Sequence, residues 1–140
     1  MHVPNNVYAK WTFEETCIAQ LELSMVIWAF LCSAQALRGC RGLWFIDNTA
    51  ALMALLRGRS NQPDLDRLAS VLQLALYVWN IWPYFEWVES DSNWSDGISR
   101  EGHADKWHQL NKFSSFSCTF WWDIMTLPTD NLIKIFQYMA

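Results

Sequence analysis

The pattern of apolar and polar residues is clearest over residues 43–56, where four apolar residues precede an acid–amide pair and a second apolar run. The first run, residues 43–46, shows no polar alternation, which predicts a strand covered on both faces, as in a parallel sheet. The run that begins at Thr49 has the composition and spacing of a helix. The segment therefore predicts a strand, a turn and a helix, with Asp47 at the carboxyl end of the strand.

The same reasoning predicts elements on both sides of this segment. We expect a short strand over residues 7–13, a helix over 15–37, helices over 49–57 and 63–79, and a strand over 84–88 that follows the Trp82-Pro83 pair. The helix predicted over residues 63–79 has an apolar stripe that consists of Leu65, Leu68, Leu72, Leu76 and Trp79. Strands that alternate with helices predict an α/β fold with parallel crossovers.

The helix predicted over residues 15–37 contains an acid inside its apolar stripe. The stripe consists of Ile18, Leu21, Met25, Trp28, Ala29, Cys32 and Ala36. At 100° per residue Glu22 falls between Ile18 and Ala29, where an unpaired carboxylate is costly. Glu22 is either a carboxylate at the edge of the stripe whose hydrogen bonds are satisfied within the protein, or a residue that requires a cation or a metal.

Composition narrows the function classes. The chain has 140 residues, of which 52% are hydrophobic, so one domain with a sizeable core is expected. The net charge of −4 argues against binding nucleic acid by bulk positive charge. Four widely spaced cysteines predict reduced thiols, and the amino terminus lacks signal-peptide features. Because Glu22 would be costly in a bilayer, we expect a buried helix, no membrane, and an intracellular protein of the cytoplasm or nucleus.

Two further polar residues lie where strands end. Asp47 follows one strand, and Asp96 lies in the polar segment that follows the other. Asp47 and Asn48 can cap the helix that begins at Thr49, and Asn93 can cap a short helix with Asp96 as its capping-box partner. Alternatively, the two acids converge with Glu22, and such a cluster of like charges is stable mainly around a divalent cation.

The motifs L-E-L, F-I-D-N-T-A-A-L and W-V-E-S-D-S-N-W-S-D-G-I-S-R, in this order, resemble the ribonuclease H-like domain of retroelement reverse transcriptase polyproteins over roughly residues 7–102. The resemblance implies an α/β, ribonuclease H-like fold: a mixed sheet with parallel strands and flanking helices, here incomplete because the first two strands are missing. It implies that Glu22, Asp47 and Asp96 are catalytic and bind Mg²⁺ or Mn²⁺. Asn48 and Arg100 are the residues it assigns to substrate binding, although Arg100 can instead pair with a carboxylate.

The activity that the resemblance implies is metal-dependent hydrolysis of the RNA strand of an RNA–DNA hybrid. The family's fourth acid lies on a strand ahead of residues 7–13, and no acid occurs among the six residues before Val7. A histidine that many members carry before the last acid is absent as well. We therefore expect impaired hydrolysis by this chain, unless an upstream reverse transcriptase segment supplies the missing strands. The alternative is a catalytically inactive remnant with a structural or binding role.

Two expectations concern the rest of the molecule. Missing strands leave open sheet edges and an uncovered apolar face, so self-association is expected. Residues 103–140 form an aromatic-rich extension beyond the truncated domain at 7–102. A short helix that starts at Pro128 carries Leu132, Ile135, Phe136 and Met139 on one face. We expect that face to pack on the domain or on a neighbouring chain rather than on nucleic acid.

Overall fold

The computed structural model describes residues 3–9, 11, 17–111 and 121–139. The helices in these ranges are α1 (Asn5–Tyr8), α2 (Ile18–Leu37), α3 (Thr49–Arg57), α4 (Pro63–Trp79), α5 (Trp94–Glu101), α6 (Lys106–Asn111), α7 (Trp121–Ile124) and α8 (Thr129–Met139). The strands are β1 (Arg41–Ile46) and β2 (Trp82–Trp87). Two 3₁₀ turns, Ser90–Ser92 and Gly102–Ala104, flank α5.

Strands β1 and β2 form a parallel pair in which Leu43 lies beside Tyr84 and Ile46 beside Trp87. Helices α3 and α4 connect them, since parallel strands require a long crossover. The backbone N–H of Val88 donates to the Ile46 carbonyl at 3.1 Å, which extends the pairing to the last residue before Asp47. The predicted α/β order with parallel strands is confirmed.

Local signals define the two crossover helices. Asn48 caps α3 by accepting a hydrogen bond from the N–H of Ala51 at 2.9 Å. Gly58 ends α3 in the left-handed conformation, which glycine adopts without strain. Pro63 opens α4 at a position that needs no N–H donor. The predicted bounds of both helices are confirmed, and all five residues of the predicted α4 stripe are buried.

Helix α2 forms as predicted, but the predicted stripe is not its buried face. Ile18 and Met25 are exposed. The core-facing side chains are Gln20, Leu23, Ser24, Ile27, Phe30, Leu31 and Ala34. Apolar residues occur around most of this helix, so the spacing alone selects no single face. The buried face is the one that packs against α3 and α4.

By length and composition alone, α2 is long and apolar enough to cross a membrane, the one such helix in the described ranges. A core helix of a soluble protein passes the same test. Leu23, Ile27 and Phe30 of α2 are fully buried in the main core, as the prediction of a buried helix requires. That packing accounts for the apolar character of the buried face of α2.

The sheet is covered on one face, so the prediction of cover on both faces is wrong. Phe30 of α2 packs against Trp44, with ring centroids 4.1 Å apart, and against Phe85 at 6.4 Å. On the other face Leu43 and Phe45 remain 57% and 54% exposed. An unbroken apolar run shows that both faces of a strand are apolar. Whether an element packs on the second face depends on the rest of the fold.

The strand predicted over residues 7–13 is wrong where the structure describes it. Residues Asn5–Tyr8 form helix α1, which starts with hydrogen bonds from the N–H groups of Val7 and Tyr8 to the Pro4 carbonyl. Val7 packs in a small second cluster with Trp11 and Cys17. Strand propensity requires a partner strand, and the described sheet contains β1 and β2. Residues 10 and 12–16 of this prediction lie outside the described ranges.

Helix α8 packs on the domain, as predicted. Leu132 and Phe136 are buried in the main core, and the indole N–H of Trp79 donates to the Phe136 carbonyl at 2.8 Å. Arg67 of α4 donates to the carbonyls of Met125 and Leu127. The extension after residue 103 therefore contributes to the same core as α2 and α4. Much of the aromatic-rich part of this extension lies within 112–120, which is outside the described ranges.

The thiol prediction agrees with the described cysteines. Cys17, Cys32 and Cys40 are thiols and form no disulfide. Cys17 is buried and Cys40 is exposed. Cys118 lies outside the described residues.

Candidate functional site

Asp47 lies at the carboxyl end of β1, as the sequence predicts. It follows Ile46 directly and precedes Asn48, whose side-chain oxygen caps α3. The capping role considered for this pair thus belongs to Asn48. Asp47 keeps its carboxylate at the strand end, the edge of α/β sheets where ligands bind.

Helix α5 brings Asp96 to the same edge. Its N-cap is Asn93, whose side-chain oxygen accepts from the N–H of Ser95 at 3.2 Å and from the Ser95 hydroxyl at 2.7 Å. The amide nitrogen of Asn93 donates to Asp47 Oδ2 at 2.9 Å. One asparagine thus starts α5 and fastens it to the end of β1. The cap predicted for Asn93 is confirmed, and its link to Asp47 is a feature that sequence reasoning missed.

Glu22 is the third acid near this edge. Burial on α2 raises the pKa of Glu22 above its ordinary value, and the negative charges of Asp47 and Asp96 raise that pKa further. Because the repulsion between like charges falls with distance, Asp47 and Asp96 each lie near enough to Glu22 to affect its proton affinity. Three separate elements, α2, the end of β1 and α5, therefore contribute the three predicted acids.

The three carboxylates are farther apart than the ligands of a bound metal ion would be. Within residues 3–9, 11, 17–111 and 121–139, no three His, Cys, Asp or Glu side chains are grouped closely enough to hold one metal ion. Carboxylate oxygens are the donor atoms that Mg²⁺ and Mn²⁺ prefer, so the chemistry of these residues suits such an ion. Their spacing requires side-chain movement before they can share one.

Two of the three acids already have partners within the protein. Asp47 accepts the hydrogen bond from Asn93, and Asp96 forms an ion pair with Arg100 one helical turn later, at 2.9 Å. Pairing with a carboxylate was the alternative considered for Arg100. The Arg100 side chain is largely exposed, so this pair contributes little to stability. Substrate binding by Asn48 and Arg100 stays a prediction.

Steric contact explains why the residue after Asp96 is a glycine. A Cβ atom built on Gly97 would lie 2.2 Å from Asp105 Oδ1, far below any contact distance. Asp105 is buried, and its other carboxylate oxygen accepts from the N–H of His108 at 2.8 Å. Gly97 thus lets α5 approach the segment that starts α6. Asp105 lies beyond the motif that ends at Arg100, so no sequence pattern indicated this contact.

An aromatic groove of about 550 Å³ lies beside the acids and was also missed. Its main apolar walls are Phe45, Val88 and the rings of Trp94 and Trp107, whose centroids are 4.8 Å apart. Trp94 is adjacent to Asn93, and Phe45 lies two residues before Asp47. The high tryptophan content was the available signal, but it does not indicate which rings meet.

Comparisons of the chain with protein-family models, with curated proteins and with solved structures found no match.

Proposed function

We propose that this chain is a ribonuclease H-like domain of a retroelement polyprotein. In the parent protein such a domain hydrolyses the RNA strand of RNA–DNA hybrids with Mg²⁺ or Mn²⁺. We further propose that these 140 residues alone are impaired in that reaction. The three acids Glu22, Asp47 and Asp96 bind the metal.

The observation that carries this proposal is the arrangement of the acids. Glu22 comes from a helix before the sheet, Asp47 from the end of the first described strand, and Asp96 from the helix after the second. Burial raises the pKa of Glu22, and repulsion from Asp47 and Asp96 raises it further, as acids near a shared cation site would do.

A bound divalent cation would activate water and stabilise the leaving oxygen of a phosphodiester. The residues of this chain would supply the negative charge that binds the cation and would keep the carboxylates in position. Asp47 is oriented by its hydrogen bond from Asn93, and Asp96 is held in the first turn of α5. Arg100, which pairs with Asp96, would be the residue of this chain that meets a substrate phosphate, a role suited to the guanidinium group.

The alternative is a catalytically inactive remnant with a structural or binding role, and a specific observation favours it. Asn93 and Arg100 already satisfy Asp47 and Asp96 without any metal. On this alternative, the Asn93–Asp47 hydrogen bond serves to join α5 to the sheet. The acids would then be retained for the fold rather than for catalysis.

Calorimetric titration of the full chain with Mn²⁺ distinguishes the nuclease proposal from the inactive alternative. The nuclease proposal predicts weak binding, with a dissociation constant of about 10⁻⁴ to 10⁻³ M, as in sites with few charged oxygen ligands. Asp47→Asn should abolish this binding. Asp123→Asn, which removes an exposed acid on α7, is the matched control and should bind like the parent chain.

Two results contradict the proposal. Absence of Mn²⁺ binding to the parent chain would favour the inactive alternative. Binding that survives in Asp47→Asn but not in Asp123→Asn would assign the metal to another part of the molecule.

A further inference from the structure

One face of the sheet carries a continuous apolar surface. In a parallel pair, residues that lie side by side point to the same face, so the register of β1 and β2 defines two sets of side chains. The covered set contains Trp44, Ile46 and Phe85. The other set, here called the open face, consists of Arg41, Leu43 and Phe45 of β1 with Trp82, Tyr84 and Glu86 of β2.

Every member of the open face is exposed. Trp82 and Tyr84 are each 63% exposed, comparable to Leu43 and Phe45 beside them. The apolar surface continues past Phe45 into the groove formed with Trp94 and Trp107. A contiguous apolar patch of more than a few hundred Å² is uncommon on a monomer and marks an interaction site.

The charges of the open face occupy opposite corners. Arg41 lies at the amino end of β1, beside Trp82, and Glu86 lies near the carboxyl end of β2, beside Phe45. The four aromatic and aliphatic side chains lie between them. The open face therefore has an apolar centre with one cation and one anion placed diagonally.

This diagonal arrangement fits a second copy of the same face. Consider two copies whose open faces are stacked, related by a two-fold axis that lies between the sheets and runs perpendicular to the strands. This rotation reverses the strand direction of one sheet relative to the other and places β1 over β1 and β2 over β2. Glu86 of each copy then lies above the amino end of β2 in the other copy, one strand spacing of about 4.8 Å from Arg41. Stacked sheets lie about 10 Å apart, a gap that an arginine and a glutamate together can bridge. The Arg41–Glu86 pair forms twice by symmetry.

We infer that the chain forms a two-fold symmetric dimer through this open face, with its strands antiparallel to those of the second copy. Leu43, Phe45, Trp82 and Tyr84 form the apolar centre of the interface, and two Arg41–Glu86 pairs set its register. Trp82 of each copy lies toward the carboxyl end of the other sheet, where the aromatic groove opens. This inference does not depend on the acids or on any metal.

Sedimentation velocity over a concentration series tests the inference with the full chain. The expected species are a monomer and a dimer in reversible exchange. Leu43→Lys places a charge at the apolar centre and should yield a monomer whose far-ultraviolet circular dichroism and thermal midpoint match those of the parent chain. Lys134→Glu, on the exposed side of α8, is the control and should leave the dimer unchanged.

A charge exchange tests the register. Arg41→Glu and Glu86→Arg should each weaken the dimer by about tenfold, since each change disrupts both ion pairs and places like charges opposite each other. The double variant restores both pairs with reversed charge and should recover most of the parent affinity. High salt should reduce the differences among these variants.

Three results overturn the inference. If the parent chain remains monomeric at every concentration, the open face does not bind a second copy, and its partner would be another polypeptide or a nucleic acid. Open-ended oligomers indicate pairing of strand edges instead of a closed two-fold contact. A double charge variant that is weaker than both single variants excludes the Arg41–Glu86 register.

Discussion

The side-chain amide of Asn93 donates a hydrogen bond of 2.9 Å to the carboxylate of Asp47, 46 residues earlier in the chain. The same side chain caps α5 through its oxygen. Because the two functions use different atoms of Asn93, they can be separated by substitution.

Asn93→Ser retains a capping oxygen but is too short to reach Asp47, whereas Asn93→Ala loses both contacts. We expect Asn93→Ser to lower the free energy of unfolding by about 0.5 to 1.5 kcal/mol, the usual net value of one hydrogen bond. Asn93→Ala should cost roughly 1 kcal/mol more, the typical value of a lost cap. Urea denaturation measures both. Equal losses in the two variants would indicate that the link to Asp47 is the only stabilising contact of Asn93.

The parent chain is expected not to cleave an RNA–DNA hybrid above background in Mg²⁺ or Mn²⁺. One electrostatic contact in an active site is commonly worth about 10² to 10³ in rate, and under the proposed function these 140 residues supply three of the family's four acids. A labelled hybrid separated on a denaturing gel provides the measurement. Adding an upstream hairpin that carries an aspartate should produce measurable cleavage. Strong cleavage by the parent chain, lost in Asp96→Asn but kept in Asp123→Asn, would mean that another acid replaces the missing one.

Glu22 should make the stability of the fold depend on pH. Because burial, Asp47 and Asp96 raise the pKa of Glu22 in the folded chain, the folded chain holds this proton more tightly than the unfolded chain. The free energy of unfolding then falls as the pH rises from the ordinary glutamate value of 4.5 through the raised pKa, and below that window the effect vanishes.

Glu22→Gln removes this titration. Its stability relative to the parent chain should increase as the pH rises through the window and stay constant above it. Urea denaturation at a series of pH values measures the difference, with Glu101→Gln as the control for the loss of one charge. A difference that is the same at every pH would show that neither burial nor the neighbouring carboxylates raise the pKa of Glu22 in the folded chain.

Phe136 should be essential to the core although it lies in the extension after residue 103. It is fully buried, and its ring packs edge-on against Trp79 with centroids 5.2 Å apart. Phe136→Ala is expected to lower the free energy of unfolding by about 3 to 5 kcal/mol, the usual cost of removing a buried phenylalanine ring.

Tyr138→Ala is the matched control for Phe136→Ala. Tyr138 lies on the same helix but is 93% exposed, so its loss should change stability by less than about 0.5 kcal/mol. Thermal and urea denaturation measure both variants. If Phe136→Ala unfolded in a single transition of unchanged midpoint, α8 would not contribute to the stability of the core.

The sequence alone determined the crossover between the two strands. Asn48, Gly58 and Pro63 act on backbone groups within a few residues of themselves, so the bounds of α3 and α4 follow from local composition. The position of Asp47 after an apolar strand, and the cap at Asn93, are local in the same sense. The three candidate acids could therefore be named from the sequence, and in the structure Asp47 and Asp96 both act on the pKa of Glu22.

Only the tertiary structure decided what each element packs against. Helix α2 is apolar around most of its surface, so contacts with α3 and α4, not periodicity, bury Leu23 and Ile27 and leave Met25 exposed. Strand β1 is apolar on both faces, yet Phe30 covers only one. The hydrogen bond from Asn93 to Asp47 joins residues far apart in the chain. Local patterns report the propensity of a segment, whereas burial and long-range hydrogen bonds depend on partners that the segment itself does not specify.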